Sequence, residues 1–112
     1  MNKYHNKKCF YKDMTFDSKK ERDYYIVLEM MLKNKQISDL RAQVKFELQP
    51  SFKFKGKTIR SINYIADFTY VKDEKLIIVD TKGYRTEVYK LKKKMMQFKG
   101  YDIEEIWWEI SW

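Results

Sequence analysis

The chain has 112 residues, of which 44% are hydrophobic and 17% aromatic, so it can form one core, is too short for two ordinary domains and is too apolar to be disordered. Its 24 Lys and Arg against 16 Asp and Glu give a formal charge of +8, which suits a polyanion such as nucleic acid without excluding an acidic protein or a membrane surface. The single cysteine, Cys9, excludes an internal disulfide, and no apolar run is long enough to span a membrane. We therefore expect a soluble, intracellular protein.

The N-terminal segment is basic and shows no sustained periodicity. This predicts a mobile or loosely docked arm over residues 1–15, ahead of a single domain over residues 16–112. A helix is predicted to begin after Ser18, because Ser18 and Glu21 have the spacing of a capping box.

Glu21 begins an apolar stripe on this first helix. Tyr25, Leu28 and Leu32 follow it at helical spacings of four, three and four residues. A carboxylate at the top of such a stripe points toward the core or a cleft, or it bonds the backbone amide of the N-cap residue. The spacing leaves both interpretations open.

From Ile37 the pattern changes to short extended segments punctuated by Pro50, by Gly56 and by a charged turn, which predicts an antiparallel meander. The three segments are ISDLRAQVKFELQP, SFKFKGKTIRSINYIADFTYV and KLIIVDTKG. A second helix follows in RTEVYKLKKKMMQFKG, and DIEEIWWEISW supplies a last strand or an exposed binding edge. The order predicts an α/β (α+β) fold, with a central mixed, largely antiparallel sheet flanked by helices in the order αβββαβ.

The second helix is predicted to bury an apolar face made of Val88, Leu91, Met95 and Phe98. The opposite face would then carry lysines. These lysines are a solvated surface or, given the charge of the chain, a track for backbone phosphates.

The strand LIIVDTKG ends with two opposite charges that continue a core-facing row. Asp80 and Lys82 share a face with Ile78, because side chains alternate along a strand. If VKDEK turns tightly with Asp73 and Glu74 at its tip, Asp67 lies directly opposite Asp80. Like charges so placed are destabilising, so the pair is better explained as ligands of a divalent cation than as a structural element.

Mg²⁺ suits two facing carboxylates, because it binds through one or two carboxylates, retains several waters and accepts phosphate oxygens. Lys82 would stand beside the metal, where its ammonium orients or helps to deprotonate a water and neutralises charge on a phosphate. Glu21 would complete the site directly or through water. Each residue also has a structural explanation, with Asp67 as a turn former, Asp80 and Lys82 as an ion pair, and Glu21 as a cap.

The order Glu21, Asp67, Asp80-Thr81-Lys82 on helix, strand and strand resembles the PD-(D/E)XK nuclease superfamily. SKKE, QVKFELQP and YIADFTYVKDEKLIIVDTKG resemble in particular a small phage-encoded family of unknown function, and the layout is similar to that of Holliday junction resolvases and transposon-end endonucleases. The resemblance implies a restriction-endonuclease-like core, Asp67 and Asp80 as metal ligands, Lys82 as the catalytic lysine and Glu21 as an additional acid. Ala66 stands where proline is typical, and Asp80 where glutamate is commoner.

The resemblance implies a Mg²⁺-dependent endodeoxyribonuclease, with Mn²⁺ as a substitute, that acts in phage DNA recombination or processing in the bacterial cytoplasm, with branched junctions as a reasonable substrate. Branched substrates would require a homodimer, for which the apolar terminus is an interface or else a core strand. The predicted DNA-binding residues are Arg85, Lys90, Lys92, Lys93 and Lys94.

Two other functions are compatible with the sequence. A catalytically silent nuclease fold would bind DNA or a protein, although the acidic residues required for catalysis are all present. A small RNA-binding module would use Tyr and Trp as stacking platforms, but it would leave the facing aspartates unexplained.

Overall fold

The computed structural model describes residues 8–82 and 84–107. Within these residues eight strands and two helices follow one another. They are β1 (Cys9–Tyr11), β2 (Met14–Phe16), α1 (Lys19–Lys33), β3 (Ser38–Gln49), β4 (Phe52–Phe54), β5 (Lys57–Ile59), β6 (Ile62–Lys72), β7 (Lys75–Lys82), α2 (Glu87–Phe98) and β8 (Ile103–Trp107).

The main sheet has four strands in the order β3, β6, β7, β8. β3, β6 and β7 are antiparallel, and β8 lies parallel to β7 after the connection through α2. Apart from the small β1–β2 and β4–β5 hairpins, the element order is αβββαβ, which confirms the predicted fold. The predicted last strand is confirmed for Ile103–Trp107, whereas Trp108 and Trp112 lie outside the described residues.

The β6–β7 hairpin has the register predicted from VKDEK. Lys72 pairs with Lys75, and the ladder continues to Phe68 with Val79. The two turn residues, Asp73 and Glu74, have φ values of 51° and 65°, as a tight two-residue hairpin turn requires. One step beyond the last pair, the same register sets Asp67 opposite Asp80.

Two hydrophobic cores lie on opposite faces of the sheet, each under one helix. Ile78 and Val79 are adjacent on β7 and enter different cores, as strand alternation requires. The α1 core contains Phe16, Leu28, Ile37, Phe68, Tyr70 and Val79. The α2 core contains Leu48, Tyr64, Ala66, Ile78, Tyr89, Met96 and Ile103.

The predicted N-terminal arm is a docked hairpin over the part that the structure describes. Strands β1 and β2 pair with each other, and residues 1–7 lie outside the described residues. Tyr11 packs edge-on against Tyr25 at 6.3 Å between ring centroids, and its hydroxyl donates to Glu29 at 2.6 Å. The arm is therefore docked from β1 onward, because Tyr11 and Met14 pack against the α1 core.

Helix α1 begins as predicted, because the Ser18 hydroxyl accepts a hydrogen bond from the Glu21 backbone amide at 3.0 Å. Its buried residues are Glu21 and Leu28, while Leu32, at the end of the predicted stripe, is exposed. None of the described helices is long and apolar enough to cross a membrane.

The predicted buried face of α2 is wrong at three of its four residues, whereas the fourth, Met95, is half-buried and packs against the α2 core. Val88, Leu91 and Phe98 are 62%, 58% and 93% exposed, and the helix instead buries Tyr89 and Met96. The helix is rotated because the Tyr89 hydroxyl donates to Glu105 of β8 at 2.6 Å, which turns this side of α2 toward the sheet. A hydrophobic stripe defined without tyrosine could not reveal this orientation.

Candidate active site

The regular alternation of side chains along strand β6 is interrupted at Asp67. Ala66 and Phe68 are two positions apart and belong on one face of a regular strand, yet Ala66 lies in the α2 core and Phe68 in the α1 core. The neighbouring pairs of the β3–β6 ladder set Gln43 opposite Asp67, and Gln43 has a φ of 56°. The alternation of side chains is thus interrupted on both strands at paired positions, which are Asp67 on β6 and Gln43 on β3. Asp67 therefore lies at the boundary between the two cores.

Asp67 is held by β7 at the point where the β6–β7 ladder ends. Thr81 donates both its backbone amide and its hydroxyl to Oδ2 of Asp67, each at 2.8 Å. Oδ1 of Asp67 has no hydrogen-bond donor among the described residues. The bonds from Thr81 therefore fix the orientation of the carboxylate while one of its oxygen atoms stays available.

Asp80 is buried and has both oxygens engaged. Lys82 Nζ lies 2.8 Å from Oδ1, and the Tyr64 hydroxyl donates to Oδ2 at 2.5 Å. Lys82 also lies 3.6 Å above the ring centroid of Tyr89, so its ammonium is held between a carboxylate and an aromatic face. The ion pair expected from the sequence as a structural alternative is thus present.

Glu21 reaches the same site from α1. It is only 4% exposed, and its carboxylate accepts a hydrogen bond from the side-chain amide of Gln43 at 3.3 Å. Among the described residues, this carboxylate thus accepts a hydrogen bond from Gln43 and not from the backbone amide of the N-cap residue. The capping explanation for the Glu21 side chain is accordingly not supported.

The structure brings the four predicted site residues together. Asp67, Asp80 and Lys82 line a cleft of about 330 Å³ between the first half of β6, the end of β7 and α2, and Asp67 and Asp80 lie close enough to Glu21 for their charges to raise its pKa. The cleft is completed by Asn63, Tyr64, Ile65, Thr86, Val88, Tyr89 and Lys92.

The carboxylates of the cleft repel one another. Burial raises the pKa of Glu21 to about 8, with further contributions from Asp67, Asp17 and Asp80. Burial and then the charge of Asp80 raise the pKa of Asp67 to about 6, against the opposing effects of Thr81 and Lys82. Lys82 therefore does not compensate for all the negative charge that the fold places here.

A neighbouring tyrosine stays protonated and supports Asp80. Burial and the charge of Asp80 raise the pKa of Tyr64 above its ordinary value, so its hydroxyl remains a hydrogen-bond donor. Tyr64 was missed in the sequence, because regular alternation places it and Asp67 on opposite faces. The change of face at Asp67 brings both to one cleft.

No group of three or more His, Cys, Asp or Glu side chains in residues 8–82 and 84–107 is arranged to hold a metal ion. In this arrangement Asp80 uses both oxygens for Lys82 and Tyr64. The donor set nevertheless fits a hard divalent cation, because it consists of carboxylates that repel one another, with Glu21 and Asp80 buried and the half-buried Asp67 offering an oxygen that accepts no hydrogen bond from the described residues.

The predicted DNA-binding residues divide into two groups. Lys92 lines the cleft, and Lys90 and Lys94 are exposed on α2. Arg85 and Lys93 instead pair with Glu105 at 2.5 Å and 3.1 Å. Lys90 has only a longer, exposed contact with Glu87 of the same helix at 3.4 Å, whereas the carboxylate that Arg85 and Lys93 share belongs to β8.

Glu105 is a half-buried anchor that the sequence analysis missed. It accepts hydrogen bonds from Arg85 and from Tyr89, and its ion pair with Lys93 completes the network. The bonds from Arg85, together with those from Tyr89 and Lys93, lower the pKa of Glu105 to about 2. This network fixes α2 against β8, and thereby holds the Tyr89 ring under Lys82.

Comparison with protein families identifies a match over nearly the whole chain. The family described as "Protein of unknown function (DUF1064)" matches residues 1–111. No curated protein and no solved structure matches the chain.

Proposed function

The chain belongs to the DUF1064 family, and we propose that it is a metal-dependent endonuclease that hydrolyses DNA phosphodiester bonds. The observation that carries this proposal is the convergence of Asp67, Asp80 and Lys82 on one cleft from two neighbouring strands. The resemblance of Glu21, Asp67 and Asp80-Thr81-Lys82 to the PD-(D/E)XK superfamily supports it. By the same resemblance, the setting is phage DNA recombination or processing, with branched junctions as substrates.

Asp67 and Asp80 would hold Mg²⁺ or Mn²⁺, with Glu21 contributing directly or through water. When bound, the cation supplies positive charge for phosphate oxygens and lowers the pKa of a water molecule. Its charge also offsets the repulsion that raises the pKa values of Glu21 and Asp67.

The other groups of the cleft have definable roles. Lys82 supplies a fixed positive charge that stabilises the charge developing on the reacting phosphate, because Asp80 and Tyr89 hold its ammonium in place. Tyr64 keeps Asp80 oriented.

The DNA backbone would enter along α2. Lys92 lies in the lining of the cleft, and Lys90 and Lys94 extend the positive charge along the exposed surface of the same helix. Lysines bind phosphates without distinguishing bases, so weak sequence preference and a steep dependence of affinity on salt are expected.

A second candidate is a nuclease-like fold that binds DNA or a protein without catalysis. This candidate is favoured by the contacts of Asp80, because both of its carboxylate oxygens already contact groups of the chain, Lys82 and Tyr64. The two functions differ in one property, which is whether a divalent cation activates cleavage.

The proposal is tested by cleavage of labelled four-way junction, flap, linear duplex and single-stranded DNA in Mg²⁺, Mn²⁺ or EDTA. Asp80→Asn is the site variant. Asp73→Asn is the matched control, because Asp73 is exposed at the tip of the same hairpin and its φ of 51° is tolerated by Asn.

Wild type and the control are expected to cleave with metal and not in EDTA, and Asp80→Asn is expected to bind DNA without cleaving it. Cleavage that persists in Asp80→Asn would refute the site. DNA binding by all three proteins with no cleavage under any metal would instead favour the silent module.

A further inference from the structure

The β4–β5 hairpin projects from the sheet as a basic and aromatic arm. All ten of its residues from 51 to 60 are exposed, and none belongs to either core. Its basic residues are Lys53, Lys55, Lys57 and Arg60, and it contains no Asp or Glu. We name residues 51–60 the basic hairpin.

The register gives the basic hairpin two different faces. Phe52 pairs with Ile59 and Phe54 with Lys57, so Phe52, Phe54 and Ile59 share one face with Lys57. These three apolar side chains are 43%, 58% and 39% exposed. Lys55, in the turn, holds its ammonium 5.5 Å from the centroid of the Phe54 ring.

An isolated two-stranded hairpin is marginally stable in water, and here its apolar face stabilises neither core. Exposed aromatic side chains beside an unbroken set of positive charges fit a partner that has both flat apolar surfaces and negative charge. Unpaired DNA bases and their phosphates provide this combination, since bases stack on aromatic rings while basic side chains contact the backbone. In an intact duplex the base faces are covered by neighbouring pairs.

We propose that the basic hairpin binds unpaired nucleotides of a DNA substrate, with Phe52 and Phe54 stacking on bases and the basic residues contacting phosphates. This inference rests on the proposed nuclease function for the identity of the polyanion. It deepens that function by naming a substrate class, namely DNA with an unpaired or easily unstacked segment.

The position of the basic hairpin relative to the cleft agrees with this role. Strand β6 begins at Ile62, two residues after the basic hairpin ends, and its residues Asn63, Ile65 and Asp67 line the cleft. Asp67 is seven positions after Arg60, which is at most about 23 Å along an extended strand. The far end of the hairpin, at Phe54 and its partner Lys57, is ten positions from Asp67, so the nucleotides that it contacts would lie within about ten positions of the cleaved phosphodiester, at about 3.4 Å per nucleotide of one strand.

The test is fluorescence anisotropy of labelled DNA with the full chain in EDTA, where binding is measured without cleavage. The three probes are a single strand, a duplex with a central unpaired bubble, and the fully paired duplex. The double variant Phe52→Ala/Phe54→Ala tests stacking. The matched control is Val27→Ala/Met30→Ala, which removes two exposed apolar side chains from α1.

The double Phe variant is expected to weaken binding to the single strand and the bubble by at least about tenfold, and to change duplex affinity by less than about twofold. Replacing the four basic residues by Gln is expected to weaken binding to all three probes and to reduce the salt dependence. Both hairpin variants should retain the wild-type circular dichroism spectrum, because none of the substituted side chains is buried.

The proposal would be overturned if wild type and the double Phe variant bound the bubble duplex with equal affinity. It would also be overturned if the double Phe variant lost affinity equally for all three probes. Loss of binding to anionic lipid vesicles with unchanged DNA binding would overturn it in favour of a membrane surface. Because the readout is binding in EDTA, failure of the nuclease proposal appears separately, as intact DNA binding without metal-dependent cleavage.

Discussion

Substitution of Glu21 by Gln is expected to stabilise the metal-free protein at alkaline pH. Glu21 is almost completely buried beside Asp67, and burial and like charge raise its pKa from 4.5 to about 8. Folded protein therefore binds a proton at this carboxyl more tightly than unfolded protein does. Gln keeps the size and the hydrogen-bonding capacity of the protonated acid and cannot ionise.

The sign and size of the effect follow from linkage. The tighter proton binding of Glu21 in the folded protein contributes to the free energy of unfolding. This contribution is fully present below about pH 4.5 and is lost as pH rises to about 8, so that the free energy of unfolding falls by about 1.4 kcal/mol per pH unit. Over the full interval the loss reaches about 5 kcal/mol, which is comparable to the whole stability of a small domain. Above pH 8 the Gln variant should be more stable than wild type by up to this amount.

The assay is urea denaturation in EDTA at several values between about pH 5 and about pH 9, followed by circular dichroism. Glu29→Gln is the control, because Glu29 lies on the same helix and its pKa is lowered by hydrogen bonds from Lys12 and Tyr11. That variant should lose stability where Glu21→Gln gains it. Parallel pH profiles for wild type and Glu21→Gln would refute the assignment of Glu21 to a crowded acidic cleft.

Three further outcomes are expected. Tyr64→Phe removes the donor to a buried carboxylate of Asp80 and should lower the free energy of unfolding by about 1–3 kcal/mol in urea denaturation; no loss would mean that the bond is not formed in solution. Lys82→Met leaves Asp80 without its cation and should abolish cleavage while anisotropy shows DNA affinity within about twofold of wild type; retained cleavage would contradict the role of Lys82. Glu105→Gln should lower the free energy of unfolding at neutral pH. In urea denaturation, the difference in free energy of unfolding between wild type and this variant should become smaller as pH falls from 4.5 toward 2, because the pKa of Glu105 is lowered to about 2. A difference that does not change with pH would contradict the network around Glu105.

Much of the site could be predicted from the sequence because it depends on local turn geometry. Two residues at the tip of VKDEK fix the register of β6 against β7, and the register in turn sets Asp67 opposite Asp80. The capping pattern likewise fixed where α1 begins, and therefore where Glu21 stands.

The remaining features depend on long-range contacts that no local pattern encodes. Tyr64 reaches Asp80 only because β6 changes face at Asp67, and this change accompanies a positive φ at Gln43 on another strand. The rotation of α2 depends on Glu105, which follows the helix in the chain and draws Tyr89 inward. A periodicity computed within one helix cannot include a carboxylate on a neighbouring strand.

The most direct test of the central claim, that Asp67 and Asp80 hold a divalent cation in this cleft, is a titration with Mn²⁺ followed by electron paramagnetic resonance. Wild type and Asp73→Asn are expected to bind Mn²⁺ with equal affinity, and Asp67→Asn and Asp80→Asn to bind it at least about tenfold more weakly. Equal Mn²⁺ affinity in all four proteins would show that the cleft carboxylates do not hold the cation.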